Sequence, residues 1–98
     1  MLIVRDIFTA KPGQASKLAK LFREIATGLE WKNARVMTDL VSNMHTVVLE
    51  TQFENLSDFE NEMKGYSQGP KAAEMMEKMK GYNDMYYKGK REIFQVTE

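Results

Sequence analysis

Along residues 2–10, LIVRDIFTA, polar and apolar positions alternate only loosely. Leu2, Val4, Phe8 and Ala10 share one parity, and Ile3, Ile7 and Thr9 share the other. Successive side chains of a strand point to opposite faces, so both faces of this segment are largely apolar. The pattern predicts a strand covered on both sides. Two charges interrupt it. Arg5 goes with Ile3 and Ile7, and Asp6 goes with Val4 and Phe8. Lys-Pro-Gly at 11–13 then stops the strand, because Pro12 donates no hydrogen bond and Gly13 tolerates a positive φ.

From Gln14 the period changes. Ala15, Leu18, Ala19, Phe22, Ile25, Ala26 and Leu29 recur at spacings of three and four, with Lys17, Lys20, Arg23 and Glu24 mostly opposite. This predicts an amphipathic helix, with Gly28 as its terminator. ARVMTDLVS (34–42) and MHTVVLETQF (44–53) predict a second and a third strand, joined by a tight turn at Ser42-Asn43. ENLSDFENEM opens a second helix capped by Asn55 or Ser57; Ser57 and Glu60 have the spacing of a capping box. GYSQGP (65–70) interrupts that helix. Pro70 suits the first position of a new helical piece whose apolar side is Ala72, Met75 or Met76, Met79 and Tyr82, ending at Gly81. KGKREIFQV predicts a last strand, with Ile93 facing away from Phe94 and Val96.

The order strand, helix, strand, strand, helix, strand is the ferredoxin-like βαββαβ arrangement of the α+β class. It predicts a four-stranded antiparallel sheet with two helices on one face and strands one and three at its centre. Residues 1–98 form one domain in this reading. The helices leave the other sheet face bare, and its Ile3 and Ile7 make it apolar. Such a face predicts a homodimer with the two bare sheets packed together.

Composition narrows the classes. A chain of 98 residues buries only about 60–65% of its unfolded surface, which also favours association. Fourteen basic and fourteen acidic side chains cancel. That argues against nucleic-acid binding through a basic face and against an electrostatic membrane partner. Without cysteine, and with His45 as the single histidine, thiolate and multi-histidine metal sites are excluded. The short run LIV is followed at once by charge and reads as neither a signal peptide nor a membrane span. The expectation is a soluble cytoplasmic protein. Eight methionines are many for this length, and methionine fills irregular cores and adaptable pockets. Their spacing is not a repeated motif of the kind a copper(I) site would use, and PGQASK lacks the spacing of a phosphate loop.

FTAKPGQASKLAKLF, TVVLETQFENLSDFENEM and GKREIFQV resemble the dimeric α+β barrel superfamily. The nearest branches are the small antibiotic-biosynthesis-type monooxygenases and the NIPSNAP-like proteins, and the resemblance spans nearly the whole chain. It implies sheets paired into a dimeric barrel and, in each subunit, a ligand pocket between sheet and helices. In haem-degrading members an Asn of the first strand points into that pocket. Counting back from the glycine of the turn, Asp6 holds that position. Those members also use a His on the second helix and a Trp nearby, whereas residues 56–80 contain neither. The cofactor-free monooxygenases deprotonate a phenol or quinol; the resemblance to them implies no cofactor.

Each candidate carries two readings. Arg5 is expected to look toward the partner subunit, in an ion pair across the dimer face with Glu50 or Asp39. Asp6 is either hydrogen-bonded to a neighbour or a pocket carboxylate acting as proton acceptor. His45, beside the hairpin turn, is a surface residue or a general base. Trp31 is a packing anchor or a pocket lid. Tyr66, Tyr82, Tyr86 and Tyr87 accompany Met75, Met76, Met79 and Met85 in the second half, as core or as a soft pocket for a flat aromatic ligand. Phe8, Phe22, Trp31, Tyr66, Met76, Met79 and Tyr82 are therefore the expected ligand-binding residues, with Asp6 and His45 as catalytic candidates and no metal. Two functions follow: a cofactor-free oxygenase acting on an aromatic or quinone-like molecule, or a non-catalytic module for a small hydrophobic ligand or a protein partner.

Overall fold

The computed structural model describes residues 1–31 and 33–97. Four strands form one antiparallel sheet in the order β2-β3-β1-β4: β1 Leu2–Ala10, β2 Arg35–Thr38, β3 Thr46–Phe53 and β4 Tyr86–Gln95. The two central strands are the two that carry buried residues, whereas the edge strands β2 and β4 have none. Helix α1 (Ala15–Gly28), α2 (Leu56–Gln68) and α3 (Ala72–Lys78) follow the strands, with a 3₁₀ turn at Tyr82–Met85 before β4. The molecule measures 37 × 36 × 19 Å, thin enough for a sheet with one helical layer. It is the α+β, ferredoxin-like architecture.

Helix α1 buries Leu18, Phe22, Ile25 and Ala26, one stripe at helical spacing. Leu18 and Phe22 meet Ala10, Val47 and Leu49 of the sheet to make the core. Asn55 caps α2; its Oδ1 accepts from the Asp58 backbone N–H at 2.9 Å. The second helix is longer than GYSQGP suggests and breaks only at residues 69–71, leaving α3 as a separate short piece. Helix α1 runs through Gly28, whose carbonyl accepts from Lys71 Nζ at 2.7 Å.

The hairpin differs most from expectation. β2 ends at Thr38 rather than at 42, and β3 begins at Thr46 rather than at 44. Asp39 is the reason. Its Oδ1 accepts from the Thr46 N–H at 3.0 Å, so a side chain takes the place of the next ladder rung. Residues 40–45 form a loop instead of a two-residue turn, with Met44 and His45 both left-handed (φ 68° and 57°). Leu40 and Val41 project fully into solvent at its tip.

Candidate functional site

Strand register decides where the charges go. β1 pairs with β3 and β4 so that Asp6 stands between Leu49 and Arg91, and Arg5 between Glu50 and Glu92. Val4, Asp6, Phe8 and Ala10 face the helices, whereas Ile3, Arg5 and Ile7 lie on the uncovered side.

Under the helices the sheet and helical layer do not close completely. A cavity of about 410 Å³ remains, lined by Asp6, Phe8, Phe22, Ile25, Trp31, Leu49, Met63, Tyr66, Met79, Tyr82, Tyr86 and Arg91 among others. Phe8 packs at 5.0 Å from Phe22 and edge-on at 4.8 Å from Tyr86, and Tyr82 stands 5.6 Å from Tyr86. The Phe8 ring lies over β4 at Gly89, where a Cβ would come within 2.7 Å of Phe8 Cε1. Glycine is thus what lets the ring form that wall. The Tyr86 hydroxyl donates to Asn83 Oδ1 at 3.1 Å. Burial pushes the Tyr66 phenol above its ordinary pKa; burial and then the neighbouring Tyr86 hydroxyl do the same to Tyr82. Both stay protonated as hydrogen-bond donors.

One ion pair sits in this wall. Arg91 Nε donates to Asp6 Oδ1 at 2.6 Å and a second Arg91 nitrogen reaches Oδ2 at 3.4 Å. The Arg91 guanidinium also lies 5.4 Å above the Phe59 ring. Asp6 is therefore a cavity carboxylate and a partnered one at once. The sequence reading left Arg91 out, although its place was legible: pairing β1 antiparallel to β4 puts it across from Asp6 on the same face.

The structure brings Asp6, Phe8, Phe22, Trp31, Tyr66, Met79 and Tyr82 together around this one cavity. It leaves out two of the expected residues. His45 is exposed in the hairpin loop and does not line the cavity. Its left-handed backbone and the early end of the ladder at Asp39 hold it beyond the strand. Met76 is 66% exposed, while its neighbour Met75 is fully buried against Gly28. Helical spacing admits either methionine, and the packing of α3 on α1 selects the first. Trp31 also lines a second hollow of about 380 Å³, where Glu30, Asn33, Glu54, Asp58 and Glu62 are joined by Met1, Ala34 and Phe53. Its indole N–H donates to Glu62 Oε2 at 2.8 Å, which ties the chain after α1 to α2.

On the uncovered face Glu50 accepts from Arg5 Nε at 2.8 Å and from Arg35 Nε through its other oxygen. Arg5 thus pairs with Glu50 within the chain, and Asp39 serves the hairpin instead. Burial alone would raise the Glu50 pKa. The hydrogen bonds and charges of Arg5 and Arg35 outweigh it and hold the carboxyl below its usual value.

The ferredoxin-like sheet with helices on one face is shared with several solved structures. A NIPSNAP-like domain protein from Burkholderia xenovorans superposes with a TM-score of 0.80 at 15% identity, over 98% of this chain and 84% of that one. A NIPSNAP family protein from Agrobacterium tumefaciens does so with a TM-score of 0.75 at 14% identity, over 100% and 95% of the two chains. A putative antibiotic biosynthesis monooxygenase from Deinococcus radiodurans gives 0.66 at 20% identity, over 100% and 94%. The structural neighbours are thus the two groups that the sequence motifs resemble, and identities of this size speak to the fold alone. No protein-family model and no curated protein matches the chain. Among the described residues, no helix is long and apolar enough to cross a membrane.

Proposed function

We propose that residues 1–98 act as one cytoplasmic domain that forms a homodimer through the uncovered sheet face. In this reading each subunit binds a flat, electron-rich aromatic or quinone-like molecule between the sheet and helices α2 and α3, and oxidises it without a cofactor, as an antibiotic-biosynthesis-type monooxygenase would. The observation that carries it is the aromatic cavity of about 410 Å³ with a single carboxylate–guanidinium pair in its wall. Aromatic walls suit a planar ligand, and the Tyr66 and Tyr82 phenols are donors for a carbonyl or hydroxyl oxygen. The Asp6–Arg91 pair supplies the acid–base step. Asp6 takes the hydroxyl proton of the ligand, and Arg91 turns from the neutralised carboxyl to the new phenolate. Charge in the cavity is conserved throughout. Dioxygen then reacts at the activated ring carbon: its C–H becomes C=O, and the second oxygen leaves as water with that hydrogen and the proton that Asp6 gives back.

One observation favours the alternative, a non-catalytic module for a small hydrophobic ligand. Arg91 already satisfies Asp6, which leaves the carboxylate no need of a substrate. Titration with dihydroxyarenes and anthrone-like compounds separates the two. Trp31, the sole tryptophan, reports binding by fluorescence, and an oxygen electrode reports turnover. The enzyme reading expects both signals, with uptake falling about a hundredfold or more in Asp6→Ala. Binding without uptake selects the module, and neither signal refutes both.

A further inference from the structure

One register row crosses the whole uncovered face. Arg35 of β2 lies opposite Glu50 of β3, Glu50 opposite Arg5 of β1, and Arg5 opposite Glu92 of β4. Read from β2 to β4 the row is plus, minus, plus, minus. Glu50 is already sealed by its two arginines, with 2% of its side chain exposed. The other three keep free surface: 42% for Arg5, 64% for Arg35 and 35% for Glu92, which Lys90 approaches to 3.4 Å. Apolar side chains flank the row, including Ile3, Ile7, Val48 and the half-exposed Phe94.

Two sheets packed face to face lie about 10 Å apart, within reach of Arg and Glu side chains from both sides. A two-fold axis running across the strands sets each strand over its own copy and puts like charge on like charge at all four positions. A two-fold axis running along the strands, through the middle of the row, reverses the order. Plus then meets minus at all four. An alternating row with an even number of members is complementary to its own reversal, so a second copy of this chain fits it without any other partner. We propose that this row fixes the arrangement of the dimer. β2 of one subunit lies over β4 of the other, and Arg35 pairs with Glu92 of the partner subunit, whereas Glu50 stays sealed by Arg5 and Arg35 of its own chain. The inference rests on the sheet-to-sheet dimer proposed above and adds its orientation and its pairing residues.

A double-mutant cycle on dimer dissociation tests it, with sedimentation velocity on wild type, Arg35→Gln, Glu92→Gln and the double variant. Each single change is expected to raise the dissociation constant about tenfold or more, because two-fold symmetry removes the pair twice. The double variant is expected to match the weaker single one. Independent effects, with fold-changes that multiply in the double variant, would overturn the pairing while leaving the dimer intact. A wild-type chain that stays monomeric at micromolar concentration would overturn the dimer and the pairing together. Arg35→Lys keeps a cation beside Glu50 and takes the place of Arg35→Gln in the cycle should that variant unfold.

Discussion

The two faces of this sheet each carry a carboxylate bound to arginine, and their burial runs opposite to what the layers suggest. Asp6 lies under the helices, yet its side chain keeps 19% exposure because the cavity opens beside it. Glu50 lies on the face that no helix covers, yet only 2% of it is exposed. The difference comes from the partners. Glu50 stands between two arginines on adjacent strands, and their stems and guanidinium groups form its cover. Asp6 has Arg91 on one side and Leu49 on the other, so one flank remains free. A covering layer is therefore a poor guide to what is sealed. The sealed pair reads as structural, and the half-open pair sits where chemistry has room.

Removing the cations over Glu50 while keeping its cover is the severest way to break this contrast. The double variant Arg5→Met/Arg35→Met leaves apolar stems over a carboxylate that has lost both partners, and is expected to cost about 3–5 kcal/mol in urea unfolding. Asp6→Asn, whose partner is half-exposed, is expected to cost about 1 kcal/mol or less. Equal losses would mean that the two pairs do not differ. Gly89→Ala acts on the covered face alone. The added methyl pushes on the Phe8 ring, so a loss of about 1–3 kcal/mol is expected, together with weaker quenching of Trp31 by aromatic ligands.

Changes of pH sharpen the comparison at opposite ends of the scale. The Glu50 pKa is depressed on folding, so its contribution is complete above the ordinary glutamate value of about 4.3 and is lost as pH falls through the folded value. Glu50→Gln should flatten the acid edge of a stability–pH profile. The Tyr66 and Tyr82 pKa values are raised, so their contribution is complete below the ordinary phenol value of about 10 and is lost as pH climbs through the folded values. Tyr66→Phe and Tyr82→Phe should flatten the alkaline edge and leave the acid edge unchanged. The smallest effects belong to the residues outside both devices. His45→Ala and Met76→Gln are expected within about 0.5 kcal/mol of wild type, with ligand binding unaltered. A loss of binding in either variant would put the ligand somewhere other than this cavity.

Much of this was legible from spacing. Parity within β1 separated Arg5 from Asp6, and helical spacing identified Leu18, Phe22 and Ile25 as a buried stripe. These are local periodicities, fixed by 3.6 residues per turn and by the two-residue pleat. The family resemblance, with the clustering of Tyr and Met in the second half, brought Phe8, Phe22, Trp31, Tyr66, Met79 and Tyr82 into view as expected ligand-binding residues, and these six line one cavity. The errors fell where two local solutions were equally good. Met75 and Met76 fit the helical stripe alike until α3 is laid against Gly28. The strand pattern of 34–42 runs on through Leu40 and Val41, but Asp39 diverts the ladder with its side chain.

The sequence by itself determined which elements form, how each divides into two faces, and the antiparallel order that places β1 and β3 at the centre. Periodicity and turn chemistry act over a few residues, so they need no knowledge of the rest of the chain. Only the tertiary structure decided who meets whom: Arg91 with Asp6, Arg35 with Glu50, Trp31 with Glu62, and the Phe8 ring with the gap at Gly89. Those meetings depend on strand register and on the seating of helices against the sheet. Shifting a register by one residue would leave every local pattern intact and exchange every partner.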